Sequence, residues 1–234
     1  MTRVNFLLHR ELAIAELGSP AAGVGAMLPD LWRMADRRVR PSRELLPEGQ
    51  GVARALAEGV HHHLAADEWF HAASVFLEGE RATVTALRGS GVARMGLFAH
   101  VAWELLLDGA LVRARGVERV QSELLRSFAP AMPAIEPLAD RHHFERAGRP
   151  SSEQSRFHAR MRGLCERLAS GPWIAHYATA DGVAMILGRI RERVGVAGLT
   201  EGEQALVAAS IAPLHEAADG AFQQITEKYI STNA

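Results

Sequence analysis

The sequence predicts an all-α protein, a compact single-domain bundle of about seven to eight helices formed by residues 1–234. Alanine, leucine, arginine and glutamate dominate, and apolar residues recur at intervals of three and four, as they do on one face of a helix. Alternating β-branched runs closed by tight turns, which are typical of strands, are missing. Hydrophobic residues make up 48% of the chain, which is enough for one sizeable core.

Glycine, serine and proline divide the first half of the chain into helices. The spacing predicts a helix over residues 4–17 that ends at Gly18, Ser19 and Pro20, and a second over residues 23–34. Residues 35–51 contain several arginines, prolines and glycines, which indicates a basic loop. A third helix is predicted over residues 52–70.

The second half begins with a long helix over residues 92–115, whose apolar centre predicts burial. Prolines at 130, 133 and 137 are predicted to break the chain. Residues 140–150 are polar and predict a surface loop, in which His142 and His143 would be exposed. Helices should start at Ser151 or Ser152 and after Thr200, which has capping-box spacing to Glu203.

Charge and cysteine content exclude several classes of protein. A formal net charge of -1 gives no overall attraction to nucleic acid or to anionic membranes. The single cysteine, Cys165, cannot form an internal disulfide and suits a reducing compartment, so we expect a cytoplasmic protein. No apolar run reaches the roughly 18 residues that cross a membrane, and His9 and Arg10 end the short N-terminal apolar run too early for a signal peptide. The oligomeric state is left open.

Histidine and carboxylate side chains recur at helical spacing in two places. His63 and Asp67 share one helix face, and His100, Glu104 and Asp108 share another. Most of these groups lie among apolar residues, where an uncompensated charge is costly, so they require partners or a metal. The candidate metal ligands are His9, Asp30, His63, Asp67, His100, Glu104 and Asp108.

A donor set of imidazoles and carboxylates without thiolates favours a hard or borderline divalent ion. Mn²⁺ is the first expectation, with Fe²⁺, Mg²⁺ and Zn²⁺ as the other candidates. Such an ion lowers the pKa of bound water and polarises a phosphoryl oxygen, which favours a hydrolase. The simpler alternative is that each pair, such as His63 with Asp67, is solvated or satisfies itself.

The arginines that follow Asp30 admit two interpretations. They form a solvated basic loop, or they dock an acidic protein or a phosphate ester, whose oxygens match the guanidinium fork. The residues are Arg33, Arg37, Arg38, Arg40 and Arg43, of which the first three are the candidate partner-binding residues.

Four separated segments carry a further pattern. They are residues 5–13, 25–31, 59–67 and 99–107. In this order they resemble the motifs of the acyl-carrier-protein phosphodiesterase family, a helical group related to the HD-domain metal phosphohydrolases. His9, Asp30, His63, Asp67, His100 and Glu104 fall on the family's metal-binding positions. The chain has Ala26, Leu64 and Leu105 where the family has asparagine, arginine and histidine.

The resemblance implies an HD-domain-like fold and hydrolysis of the phosphodiester that joins 4'-phosphopantetheine to holo acyl carrier protein. Asp67 and Glu104 would be the catalytic residues, and the basic loop would meet the acidic carrier protein. Two alternatives remain open. The chain hydrolyses another small phosphoester, which the three departures favour, or it is a non-catalytic helical protein with a degenerate metal site.

Overall fold

The computed structural model describes residues 6–44, 47–147, 151–170 and 172–233, and every regular element in these ranges is helical. This confirms the all-α prediction. The described part of the chain forms eleven α-helices, not seven or eight, because short turns divide several segments. They are α1 Phe6–Leu17, α2 Pro20–Ala35, α3 Gly51–Ala72, α4 Ser74–Gly89, α5 Ala99–Arg115, α6 Val117–Ala139, α7 Glu145–Ala147, α8 Ser151–Ser170, α9 Ala180–Arg193, α10 Glu201–Ile211 and α11 Leu214–Asn233.

Two predicted helix starts are confirmed, α8 at Ser151 and α10 directly after Thr200, whereas α2 begins at Pro20 and not at the predicted residue 23. The Ser19 hydroxyl accepts a hydrogen bond from the backbone N–H of Ala22 at 3.3 Å, directly before Pro20 opens α2. Thr200 and Glu203 form the predicted capping box at α10, in which each side chain accepts from the other residue's backbone N–H. Local sequence therefore determines where α2 and α10 begin.

Helices α2 and α3 approach so closely that only glycine fits at their contact. A Cβ on Gly59 would lie 2.0 Å from the carbonyl oxygen of Ala22, and one on Gly25 would lie 2.1 Å from that of Leu56. Backbone therefore packs against backbone here. This contact holds the N-terminal half of α2 against the N-terminal half of α3.

The segment Met95–Arg115, a 3₁₀ turn followed by α5, is the central core element. It is long and apolar enough to cross a membrane, but 83% of its most apolar window is buried inside the fold. Leu105, Leu106 and Leu107 are all completely buried, so this helix has no solvent-facing side at its centre. These features are those of the core helix of a soluble protein.

The three prolines at 130, 133 and 137 do not break the chain, which corrects the prediction. Helix α6 runs through all of them. They lie on its exposed side, while Leu124, Phe128 and Ile135 pack into the core from the other side. Each proline leaves a carbonyl one turn earlier without its N–H donor, and on this side water can replace the donor.

Residues 140–147 are not a surface loop either. A π turn over Asp140–Phe144 continues α6 directly into α7, and it directs His142 and His143 inward. His142 packs on Trp32 with ring centroids 5.4 Å apart, and its Nδ1 accepts a hydrogen bond from the backbone N–H of Ser42 at 3.0 Å. Polarity predicted exposure, but the extra residue of the π turn rotates both side chains inward. Residues 148–150 of the predicted loop lie outside the described residues.

The buried His142 makes stability depend on pH. Burial, and then the charges of His61, Arg141 and Arg146, lower the pKa of His142 from 6.5 to about 4. Between these values the unfolded chain binds a proton that the folded chain does not, so stability falls as pH falls through this window, by at most about 3 kcal/mol. We expect His142→Gln, which cannot ionise, to flatten the dependence of the unfolding midpoint on pH between 6.5 and 4. An unchanged slope would contradict this account.

Candidate metal centre

The first of two metal-ligand groups joins three helices. His9 of α1, Asp30 of α2 and His63 of α3 are all buried, and they offer ligand atoms within 4.8 Å of one another. The rings of His9 and His63 have centroids 4.0 Å apart. The Nδ1 of His63 lies 2.8 Å from the carbonyl oxygen of Ala26, which can only accept, so Nδ1 carries the proton and Nε2 is left to bind a metal.

The second group lies between α3 and α5. It consists of His71, His100 and Glu104, whose ligand atoms also lie within 4.8 Å of one another. The Oε1 of Glu104 is 3.1 Å from Nε2 of His100 and 3.6 Å from Nε2 of His71. Glu80 of α4 contacts the other nitrogen of His100, Nδ1, at 3.0 Å. A carboxylate behind an imidazole orients the ring and raises its basicity, as in many metal sites.

Asp67 links the two groups. Its Oδ1 lies 3.9 Å from Nε2 of His9 in the first group and 2.8 Å from Nε2 of His71 in the second. A carboxylate placed in this way can serve two ions at once, and two-metal sites hold their ions about 3.5–4 Å apart. Asp67 and His71 are one helical turn apart on α3, which continues the stripe that begins at His63.

The acidic neighbours of His100 favour its protonated form. Partial burial lowers the pKa of His100, but the hydrogen bond and charge of Glu104, together with Glu80, outweigh this effect and raise the pKa above 6.5. A metal binds only neutral imidazole, so binding at the second group must release this proton. Metal affinity at this group is therefore expected to fall as pH falls.

Asp108 lies at the same end of the bundle but in a different role. Its two carboxylate oxygens accept hydrogen bonds from the backbone N–H groups of Leu7 at 3.2 Å and Leu8 at 3.0 Å, at the start of α1. Complete burial raises the pKa of Asp108 well above the usual value. The hydrogen bonds from Leu8 and Leu7 act in the opposite direction, and the charges of Glu104 and Asp30 raise the pKa further. Asp108 thus satisfies the N-terminal backbone groups of α1 and belongs to neither metal-ligand group.

A small cavity opens beside the first group. It has a volume of about 180 Å³, and Asp30, His63 and Asp67 line it together with Arg33 and Arg40. Arg33 and Arg40 thus line the same cavity as three of the candidate metal ligands, and Nη1 of Arg40 donates to the backbone carbonyls of Arg37 and Val39. Arginine side chains beside a bound cation are suited to hold a phosphate.

The three arginines predicted to meet a partner are in three different environments. Arg33 is half-buried and lines the cavity just described. Arg37 is exposed. Arg38 is exposed and forms ion pairs with Asp36 at 2.7 Å and Glu153 at 3.4 Å, and the Asp36 contact lowers the pKa of that carboxyl group to about 2.

Sequence reasoning missed two residues of this region. His71 was overlooked because the third helix was predicted to end at residue 70, whereas α3 ends at Ala72. Its spacing of four from Asp67 was the available signal. Glu80 reaches the site from a helix that carries no pattern relating it to the other ligands.

Two further polar residues have structural roles. Burial raises the pKa of the Cys165 thiol to about 12, so this residue is an unreactive part of the core. Glu11, near His9, forms ion pairs with Arg10 and with Arg115.

The chain matches no protein-family model, no curated protein and no solved structure.

Proposed function

We propose that this protein is a metal-dependent phosphodiester hydrolase with a two-ion centre built around Asp67. The observation that carries the proposal is the position of Asp67 Oδ1, which lies near His9 in one ligand group and near His71 in the other. A shared carboxylate between two imidazole–carboxylate groups is the arrangement used by two-metal phosphohydrolases. A divalent ion bound there polarises a phosphoryl oxygen and lowers the pKa of a coordinated water.

The donor set supports a divalent ion of the hard or borderline kind, with Mn²⁺ as our first choice. All the candidate ligands are imidazoles or carboxylates. Supporting contacts hold them in place: the Ala26 carbonyl accepts a hydrogen bond from Nδ1 of His63, and Glu80 contacts His100. Such contacts limit rotation of the ligand rings and reduce the entropy lost when an ion binds.

The substrate site would be the cavity beside Asp30, His63 and Asp67. Arg33 and Arg40 line it, and a guanidinium can hold two phosphoryl oxygens at once. Because the arginines carry fixed positive charge, they would stabilise the negative charge that builds up on the phosphoryl oxygens. Asp67 and Glu104 are the proposed catalytic carboxylates: Asp67 lines the cavity, and the fully buried Glu104 keeps His71 and His100 in place.

Holo acyl carrier protein is the first substrate to test, on the basis of the resemblance to the acyl-carrier-protein phosphodiesterases and their HD-domain-like fold. Arg33, Arg37 and Arg38 follow one another at the end of α2. An acidic partner bound to them would hold its serine-linked phosphate near the cavity. Such a reaction would belong to the cytoplasm.

The size of the cavity favours a second candidate, a smaller phosphoester. About 180 Å³ is less than the roughly 300 Å³ at which pockets for whole small molecules begin, so it holds a phosphoryl group and little else. The remainder of any substrate would lie outside it.

A third candidate is a non-catalytic polar core. His71 and Asp67 lie 2.8 Å apart and His100 and Glu104 lie 3.1 Å apart, so protonated imidazoles would form ion pairs with these carboxylates without a metal ion.

Metal content distinguishes the two hydrolase candidates from the non-catalytic polar core. Protein incubated with Mn²⁺ and desalted should retain two ions per chain. His63→Ala and His71→Ala should each retain one, and His215→Ala on α11, outside both groups, should retain two. Hydrolysis of bis(p-nitrophenyl) phosphate and release of phosphopantetheine from holo acyl carrier protein then identify the substrate class. Correctly folded wild-type protein that retains no Mn²⁺ would exclude the hydrolase and leave the polar core.

Replacement of Arg33 should lower the rate of hydrolysis without changing the metal content. We expect Arg33→Lys to lower kcat/KM for the diester about 10-fold, since lysine keeps the charge but not the two-pronged donor, and Arg33→Ala to lower it further. Both variants should retain the wild-type metal content. Arg156→Gln, on the exposed side of α8, is the matched control. Equal kcat/KM in Arg33→Ala and this control would show that phosphate does not bind in the cavity.

A further inference from the structure

A second, larger pocket lies away from the two metal-ligand groups. It has a volume of about 370 Å³, within the range of small-molecule sites. Helices α2, α8 and α9 and the 3₁₀ turn Pro172–Ala178 form its walls. Leu31, Met34, Leu164, Ile186 and Trp173 give it a largely apolar lining.

Three arginines line the same pocket. Arg167, Arg189 and Arg193 are all exposed, and no acidic residue is among the described residues that line the pocket. The pocket walls screen part of the Arg193 side chain from water, and this desolvation, followed by the charges of Arg167 and Arg37, lowers the pKa of Arg193. Arg167 and Arg37 therefore repel Arg193, and an anion would relieve this repulsion.

The positive charge extends into a neighbouring cavity of about 480 Å³. The two cavities share Met34 and Arg193, and the second adds Arg37 and Arg160. Its one carboxylate, Asp36, is engaged by Arg38 at 2.7 Å. An apolar pocket thus opens next to a cluster of positive charge.

We infer that this pocket binds a single-chain amphiphile with an anionic head group, either an alkyl phosphate or a fatty acid. The alkyl chain lies against Leu31, Leu164 and Ile186, where burial of apolar surface favours it. The head group lies between Arg167 and Arg193, which donate charge-assisted hydrogen bonds to it. None of the residues of the two metal-ligand groups lines this pocket, so the inference is independent of the proposed hydrolase activity.

Calorimetric titration of the full-length protein tests this site. The probes are octyl phosphate and octanoate, with 1-octanol and inorganic phosphate as controls that lack the charge or the chain. We expect both anionic amphiphiles to bind about 10-fold more tightly than 1-octanol, since a hydrogen bond to a charged group contributes about that factor. They should also bind at least about 10-fold more tightly than inorganic phosphate, which buries no alkyl chain. The tighter of the two anions identifies the head group. Failure of both to bind, or equal binding of 1-octanol, would overturn the inference.

Variants locate the head group and the chain. Arg193→Gln should weaken binding of the preferred anion about 10-fold. Arg81→Gln, at an exposed position of α4, should not change binding. Ile186→Trp should weaken binding by filling the pocket. His63→Ala and added chelator should leave it unchanged. Loss of binding in His63→Ala would place the anion at the metal centre, and equal binding by Arg193→Gln and Arg81→Gln would exclude the arginine cluster. Either result would overturn the inference.

Discussion

Asp67→Asn should abolish metal binding at both groups and lower phosphodiester hydrolysis by more than about 100-fold, the upper range for residues that only support a ligand. The amide has no charge to balance two divalent ions, and the side chain keeps nearly the same shape, so the fold should be retained. Metal analysis after incubation with Mn²⁺, together with the rate on bis(p-nitrophenyl) phosphate, measures both effects. His9 and His71 each lose their shared carboxylate in this variant.

Glu68→Gln is the matched control for Asp67→Asn. Glu68 is the next residue of α3, but its side chain is 67% exposed and pairs with Arg43 at 2.6 Å. Removal of this surface ion pair should cost less than about 1 kcal/mol and leave metal content unchanged. If Asp67→Asn retains one ion per chain, Asp67 belongs to a single group and the two-ion centre is wrong.

Gly59→Ala should destabilise the fold by about 3 kcal/mol, at the upper end of the cost of overpacking. The added Cβ would lie 2.0 Å from the carbonyl oxygen of Ala22, which is backbone and cannot rotate away, so α2 and α3 must separate. The same movement would draw Asp30 away from His63 and weaken the first metal group. Chemical denaturation and metal titration measure the two effects.

Gly220→Ala, the control for Gly59→Ala, should change stability in the opposite direction. Gly220 lies within α11, and a Cβ there would meet no atom within 4 Å. Alanine is the better helix former, so this variant should be more stable by about 0.5–1 kcal/mol. Should Gly59→Ala also be stabilising, the close approach of α2 to α3 would be incorrect.

Helical spacing predicted the stripes of the site because one helix determines the relative directions of its own side chains. His63 with Asp67, and His100 with Glu104, lie on shared faces as expected. The same spacing rule predicted Asp108 as a metal ligand, but its carboxylate instead accepts hydrogen bonds at the start of α1. Spacing determines which side chains share a face but not which element packs opposite.

Backbone departures from the simple helix were not predictable. The three prolines of α6 are tolerated because they share its exposed side, and the π turn at Asp140–Phe144 buries His142 and His143. Both outcomes depend on neighbouring helices, which supply the core on one side and leave solvent on the other.

The sequence by itself determined the helical class, two helix starts and the faces that carry histidine and carboxylate, since these follow from propensity, capping and periodicity within about one or two turns. The tertiary structure alone decided that Asp67 lies between His9 and His71, and that Arg33 and Arg40 line the cavity beside it. These arrangements join residues of α1, α2, α3 and a loop. The cavity in particular depends on the packing of α2 against α3 at Gly25 and Gly59, a contact that local periodicity does not encode.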